Sequence, residues 1–219
     1  MHSRAVYAQS RVRRVARGRE HDRIDVHALY GPLMPQALAE WGHQRLSMAL
    51  DTSTLGNTYG RVRMSSVYRG RAVPIVWKVL DHPSSRVAYD VYKAVLEKVA
   101  ELLPWRWNVV LTADRGFADT HLMAHLARLR WHWRSRINGS CWMYRQGQRR
   151  CQMHRMPWCA GKALCWPHVS MTTNRDGPVP LALSRPTDSP EYWFGVSDEP
   201  TEWKTFAEYG LRCDSEANF

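Results

Sequence analysis

Two aspartates each end a run of residues that predicts a β-strand. Asp51 ends the alternating run 46–51, and Asp114 ends the continuous apolar run 108–114. Carboxylates at the ends of neighbouring strands repel each other unless a cation lies between them. Sites made only of oxygen ligands suit Mg²⁺, which keeps waters and accepts phosphate oxygens as further ligands. The pair therefore predicts a site for phosphoryl transfer with Mg²⁺, or with Mn²⁺ in its place.

A third carboxylate is expected from the last helix. Tyr209, Arg212 and Glu216 are spaced i, i+3 and i+7, so they share one helix face. This combination of phenol, guanidinium and carboxylate has no apolar partner and fits a protein core poorly. Two alternatives stay open: a turn-forming role for Asp51 or Asp114 taken singly, and a solvated helix face with an Arg–Glu pair.

The elements around these residues predict an α/β fold, a mixed sheet with helices packed on it. In chain order we expect three strands, a helix, a strand, a second helix and a further strand. Ser84 or Ser85 is expected to cap the first helix, Pro104 to end it, and Asp119 to cap the second. The predicted strands are 46–51, 61–68, 72–80, 108–114 and 131–137, with a tight turn at 69–71.

The chain divides into four predicted segments. Residues 1–44 are basic and partly helical, with a helical pattern at 35–41. Residues 45–137 are expected to form the catalytic core. Turn clusters, scattered aromatic residues and most of the cysteines mark 138–200 as a β-rich insertion. Residues 201–219 are expected to carry a final core helix that is truncated.

The charge of the chain predicts a polyanionic partner. Lys and Arg number 31 against 20 Asp and Glu, which gives a net charge of +11 and an isoelectric point near 9.8. Basic side chains release the counterions condensed on nucleic acid, and Arg adds forked contacts to phosphate. No apolar run approaches the roughly 20 residues of a membrane helix, and no signal peptide is visible. We therefore expect a cytoplasmic protein with reduced cysteines that binds no membrane.

Three motifs resemble those of bacterial insertion-sequence transposases of the DDE class. The sequence D-R-G-F at residues 114–117, after an apolar strand, resembles the second-aspartate motif of that class. The sequence Y-G-L-R-C-D-S-E at 209–216 is similar to the signature Y-x2-R-x3-E-x6-K of one cut-and-paste group. The sequence L-D-T-S at 50–53, followed by residues 67–74, resembles the region of the first aspartate. The resemblance extends from about residue 21 to the C-terminus.

The resemblance implies a ribonuclease-H-like core with a β-rich insertion before the last helix. It implies that Asp51, Asp114 and Glu216 are the catalytic residues and bind divalent metal ions, Mg²⁺ or Mn²⁺. The implied activity is metal-dependent cleavage and transfer of DNA strands at the ends of an insertion sequence. Water attacks the phosphodiester first, and the freed 3′-hydroxyl attacks again, with no covalent enzyme intermediate.

The resemblance also implies which residues contact DNA. Tyr209 and Arg212 would contact phosphate near the transposon end, and Arg115 would contact a distorted strand there. The implied partners are double-stranded DNA, both transposon ends and target, and a second copy of the chain in a homodimer on paired ends. The implied location is the bacterial cytoplasm, in association with the nucleoid.

Two other functions remain open. The lysine of the signature would lie beyond Phe219, and Cys213 and Ser215 stand where larger apolar residues are usual. These departures favour an inactive DNA-binding remnant of a mobile element. The other alternative is a general ribonuclease-H-like nuclease, which would not need the Tyr–Arg–Glu stripe.

The cysteines with nearby histidines, and the tryptophans, give weaker indications of function than the carboxylates do. The spacings of five Cys and His residues fit no established zinc pattern well, so structural zinc is the weaker expectation for Cys151, His154, Cys159, Cys165 and His168. Most of the 11 tryptophans are expected in the core, including Trp131 and Trp133. Those in the insertion are freer to contact unpaired bases: Trp142, Trp158 and Trp166.

Overall fold

The structure is a computed structural model, and it divides the chain into two compact units, Met1–Gly42 and His43–Phe219. It describes residues 26–39, 45–55, 58–69, 71–82, 84, 87–104, 107–156, 159–187 and 191–216. Within these ranges, the side chains of 26, 27, 29, 55 and 211–216 are not described. None of the described helices is both long enough and apolar enough to cross a membrane.

The first unit contains helix α1 (Val26–Ala39) among its described residues. The predicted helix at 35–41 is therefore wrong at its start, because α1 begins nine residues earlier and holds Pro32 and Pro35 inside it. Proline is favoured in the first turn of a helix, but α1 continues through both of these prolines.

A ten-stranded mixed sheet forms the core of the second unit. Its first five strands are β1 (Leu46–Leu55), β2 (Tyr59–Tyr68), β3 (Arg71–Leu80), β4 (Val109–Ala113) and β5 (His132–Arg136). The remaining strands are β6 (Trp142–Tyr144), β7 (Cys151–Gln152), β8 (Lys162–Met171), β9 (Asp176–Arg185) and β10 (Trp193–Ser197). Across the sheet the order is β3-β2-β1-β4-β5-β10-β9-β8-β6-β7.

The first five strands confirm the predicted chain order of the core. β1, β2 and β3 are antiparallel neighbours, whereas β4 is parallel to β1 and β5 is parallel to β4. The tight turn between β2 and β3 is also confirmed, and Arg69 adopts a left-handed φ of 50° there. Parallel strands require crossover connections, and helices provide them between β3, β4 and β5.

These connections are α2 (Tyr89–Leu102) and α3 (Thr120–Arg128). The predicted cap of α3 is confirmed, because the Asp119 carboxylate accepts a hydrogen bond from the His121 backbone N–H at 2.9 Å. The predicted cap of α2 is wrong. α2 begins after Ala88, whose extended backbone starts the helix without a side-chain hydrogen bond. Ser84 therefore lies too far upstream, and Ser85 lies outside the described residues.

The strands between residues 142 and 197 continue the core sheet. β10 pairs antiparallel with β5, and β9, β8, β6 and β7 follow outwards. Pairing with β10 covers the edge that β5 would otherwise expose. The predicted β-rich insertion is thus built as an extension of the core sheet. The final helix, α4 (Trp203–Glu216), follows β10.

Helices cover both faces of the sheet around β4 and β5. Arg134 of β5 points to α4, because its guanidinium lies 2.8 Å from the Glu208 carboxylate. Trp133 points the other way and lines a small cavity with Leu122 and Leu126 of α3. We call these two sides of the sheet the α4 face and the α3 face. Because side chains alternate along a strand and paired residues point to the same side, each paired strand residue can be assigned to one of these two faces.

Candidate active site

Asp51 and Asp114 are neighbours across the parallel pair of β1 and β4. The last residues paired in this ladder are Leu50 and Ala113, and each aspartate comes next in its strand. Adjacent strands lie about 4.8 Å apart, so the two backbones are in direct lateral proximity. Asp114 has an extended backbone (φ −84°, ψ 174°), which continues the geometry of β4 by one residue.

Both aspartates point to the α4 face. Thr112 is paired with Arg134, which defines that face in β4, and Asp114 is two residues further along the same strand. Ala49 is paired with Thr112 in the parallel β1–β4 ladder. Two residues further along both strands, Asp51 lies opposite Asp114. Residues opposite each other in a sheet point to the same side. The structure therefore brings the two predicted metal ligands together on one face.

One oxygen of the Asp114 carboxylate has no hydrogen-bond donor among the described residues. Its Oδ1 is buried and accepts no hydrogen bond from any described residue. Leaving a buried charged oxygen without a partner costs more than leaving a neutral one, so such groups usually mark an ion site or a reactive site. This oxygen, beside a second carboxylate, fits a divalent cation with oxygen ligands.

Asp51 is paired with an arginine that the sequence analysis did not identify. Arg63 lies opposite Asp51 in the antiparallel β1–β2 ladder, and its Nη2 donates to the Asp51 Oδ2 at 3.3 Å. The Arg63 side chain is only 7% exposed, whereas that of Asp51 is 22% exposed. The guanidinium therefore holds one oxygen of Asp51 from the β2 side. The alternation of Arg61 and Arg63 in β2 was the available signal for a basic row beside β1.

The predicted strand end at Asp51 is wrong, and so is the turn proposed as its alternative role. β1 continues to Leu55, because Thr52, Ser53, Thr54 and Leu55 go on pairing with β2 after the pairing with β4 has ended. Asp51 thus lies in mid-strand, at the point where its β4 neighbour leaves the sheet. Asp114 does lie at a strand end, followed by a short 3₁₀ turn, Arg115–Phe117.

Tyr209 joins α4 to the same part of the sheet. It is 5% exposed, its ring packs edge-on against Trp193 at 5.7 Å, and its hydroxyl donates to the Ala113 carbonyl at 3.4 Å. The absence of an apolar partner, predicted from the helix alone, is therefore wrong for Tyr209. Its partner comes from β10, which the helix sequence does not reveal. The predicted DNA contact of Tyr209 stays a prediction beside this packing role.

Glu216 ends α4, seven positions after Tyr209, which corresponds to about 10 Å along the helix axis. The side chains of Glu216 and Arg212 lie outside the described part of the chain. Their predicted roles in metal and DNA binding stay predictions. What the structure does place is their helix, which packs on the face that carries Asp51 and Asp114.

Arg115 is exposed and comes directly after Asp114. It lies at the rim of a cavity of about 720 Å³, on the α3 face, whose lining includes Trp133 and Met171. Arg175 lies at the same cavity. The predicted contact of Arg115 with a distorted DNA strand stays a prediction.

A network of ion pairs fixes α4 at the opposite edge of β4 and β5. Glu199, just after β10, accepts from both Arg45 and Arg134, and Arg134 also contacts Glu208 of α4. The hydrogen bond from Arg45 is the main reason why the pKa of Glu199 lies below its ordinary value. His132 and Asp198 extend the network at 2.8 Å. The network ties the end of β10, the start of β1 and the first turns of α4 together.

Among the described side chains, one group of potential metal ligands has its ligand atoms close enough together to hold an ion. It consists of His132, Asp198 and Glu199. Ion pairs already account for this group, because Glu199 pairs with Arg45 and Arg134, and Asp198 pairs with His132. Among the cysteines of the predicted zinc group, Cys159 and Cys165 are exposed free thiols. Trp131 and Trp133 are buried as predicted, at 6% and 7% exposure.

Comparison with solved structures gives partial likenesses. No protein-family model and no curated protein matches the chain. A solved synaptic complex of piggyBac transposase with hairpin DNA matches with a TM-score of 0.46 and 10% identity, over 79% of this chain and 39% of that one. An Argonaute from Marinitoga piezophila with guide RNA and target DNA matches with a TM-score of 0.37 and 8% identity, over 78% and 25%. The chain thus spans well under two thirds of either protein, and at these TM-scores the site residues themselves must carry the functional conclusion.

Proposed function

We propose that this chain is a metal-dependent DNA transposase of the DDE class, which cleaves and transfers strands at the ends of an insertion sequence. The observation that carries the proposal is the placement of Asp51 and Asp114 side by side on the α4 face, with a buried Asp114 oxygen that no described residue satisfies. The order of three strands, helix, strand, helix and strand, with more strands before the last helix, supports a ribonuclease-H-like core.

The residues fit a divalent ion, Mg²⁺ or Mn²⁺. Asp51 and Asp114 would each supply carboxylate oxygens, and Glu216 is proposed as the third ligand because its helix packs on the same face. Two such ions, when bound, lower the pKa of an attacking water and stabilise the leaving oxygen of a phosphodiester. The protein positions these ligands on buried strands, where Ala49 and Ala113 are 4% and 2% exposed.

The basic side chains around the carboxylates suit a DNA substrate. Arg63 forms an ion pair with Asp51, and exposed Arg115 lies directly beyond Asp114. The net charge of +11 favours association with a polyanion before any specific contact forms. Double-stranded DNA is therefore the proposed substrate, with transposon ends as the specific target and a homodimer on paired ends as the proposed assembly.

The test is Mg²⁺-dependent cleavage of a supercoiled plasmid that carries the native element ends. We expect cleavage by the wild-type chain and its loss in Asp51→Asn and Asp114→Asn, which remove a charged ligand but preserve side-chain volume. Asp81→Asn is the matched control, since Asp81 is exposed beyond β3 and outside the site. It should cleave like the wild type.

Two outcomes would overturn the proposal in different ways. Cleavage that ignores the element ends, but still requires Asp114, would identify a general ribonuclease-H-like nuclease. DNA binding without cleavage by any variant would identify an inactive remnant.

A further inference from the structure

Two arginines outside the candidate active site lie over aromatic rings of β6. The Arg150 guanidinium is 4.8 Å from the centre of the Trp142 ring, and that of Arg175 is 5.0 Å from the Tyr144 ring. Both arginines are exposed, whereas both rings are half-buried. We call these four residues the arginine–aromatic patch. A guanidinium stacked on a ring keeps its donors free and loses less freedom when it binds an anion.

The two aromatic rings of the patch lie on the same side of the sheet as the carboxylate pair. Arg175 reaches the Tyr144 ring from the turn between β8 and β9, where it also lines the large cavity. Met171 of β8 lines the large cavity together with Trp133, so it belongs to the α3 face. Met143 of β6 is paired with Met171 and is 2% exposed, which puts it on that face too. Trp142 and Tyr144 flank Met143 in the strand and therefore point to the α4 face.

The distance between the two sites follows from the strand order. β6 is separated from β4 by β5, β10, β9 and β8. Five strand spacings amount to about 24 Å across the sheet. Successive base pairs of duplex DNA rise by about 3.4 Å along the helix axis, so this distance corresponds to about seven base pairs.

The stacked arginines also favour one kind of nucleic-acid contact over another. Each guanidinium covers a ring face that an unpaired base would need for stacking. The sequence analysis expected Trp142 to be free for unpaired bases, but the structure places Arg150 over it. The patch presents positive charge outward, which complements the phosphate backbone of a duplex.

We propose that the arginine–aromatic patch binds the backbone of double-stranded DNA about seven base pairs from the phosphate held at Asp51 and Asp114. This inference rests on the proposed function, because it assumes that DNA lies at the carboxylate pair. The patch contributes affinity and orientation, and it reads no base sequence. It gives the insertion a role in holding the duplex along the α4 face.

The test is the salt dependence of binding to a 20-base-pair duplex, measured with the full chain without divalent metal. Arg150→Gln/Arg175→Gln removes both patch charges and leaves the rings in place. The matched control is Lys78→Gln/Lys98→Gln, which removes two exposed charges from β3 and α2. Lys78 is paired with Val62, the neighbour of Arg63, and so lies on the α3 face.

Each lost phosphate contact lowers the slope of log K against log salt by about 0.9, so the patch variant should lose about 1.8 from the wild-type slope. The control should keep the wild-type slope to within about 0.5. Equal slopes for the patch variant and the control would overturn this inference and leave the proposed function intact. Failure of the wild-type chain to bind the duplex at all would instead contradict the proposed function.

Discussion

Replacement of Asp114 by Asn is expected to stabilise the protein when no divalent metal is present. In the metal-free chain, two carboxylates face each other across one strand spacing, about 4.8 Å. Their repulsion is about 0.9 kcal/mol at the dielectric constant of water and about 3.5 kcal/mol at an effective constant of 20. Arg63 offsets part of this, because it already neutralises Asp51. We therefore expect a gain near the lower value, about 1 kcal/mol.

Metal should reverse this order of stability. Binding at a ligand concentration of 100 times Kd stabilises a folded protein by about 2.7 kcal/mol. For a chain of this size, 1 kcal/mol corresponds to about 2–4 °C in Tm. Added Mg²⁺ or Mn²⁺ should raise the Tm of the wild-type chain by about 5–11 °C under that condition. The Asn variant should start about 2–4 °C higher in EDTA and respond little to metal.

Thermal unfolding in EDTA and in a metal series measures both effects, with Asp81→Asn as the control for removal of one exposed carboxylate. The reasoning is refuted if the Asn variant is less stable than the wild type in EDTA. It is also refuted if wild type and variant gain the same Tm from metal, because the ion would then bind elsewhere.

Two further predictions concern parts of the fold that support the site. Glu208→Gln leaves the Arg134 guanidinium, 8% exposed, with Glu199 as its remaining partner, so it should cost about 1–2 kcal/mol in urea unfolding. A double-mutant cycle with Arg134→Met that gives a coupling below about 0.5 kcal/mol would contradict this. Burial lowers the pKa of His125, so the unfolded chain takes up a proton below pH 6.5 while the folded one resists it. The free energy of unfolding should therefore fall as the pH drops below 6.5. His125→Gln should remove that part of the pH dependence. An unchanged pH profile in the variant would show that His125 is not its source.

The sequence predicts the core strands and α3 because their signals are local. The continuous apolar run of β4, the alternation in β5 and the Asp119 cap each need only a few neighbouring residues. The extension of β1 beyond Asp51 is not local. It depends on pairing with β2, which continues for five residues after β4 has left the ladder. A mid-strand residue, Asp51, was therefore predicted from the sequence to end the strand.

The carboxylate pair could be predicted, but its surroundings could not. Each aspartate ends a run of residues that predicts a strand, and such a run can be recognised from the sequence alone. Arg63 meets Asp51 only through the antiparallel register, and Tyr209 meets Trp193 only through the order of β5 and β10. Register and strand order are set by long-range pairing, which leaves little trace in spacing along the chain. The resemblance motifs supplied the roles of the residues but not these contacts.

The precision of the carboxylate pair rests on the buried register of β1 against β4. The Thr112 hydroxyl, in a side chain of which 2% is exposed, donates to the Met48 carbonyl at 2.9 Å and links the two strands at that register. A slip by one residue would move one aspartate to the α3 face, because side chains alternate along a strand. Apolar residues buried on the α3 face, such as Leu50 and Leu111 at 0% exposure, oppose such a slip. The carboxylate pair is thus positioned by the buried core of the sheet, whereas the proposed further contacts with DNA are assigned to the strands beyond β5.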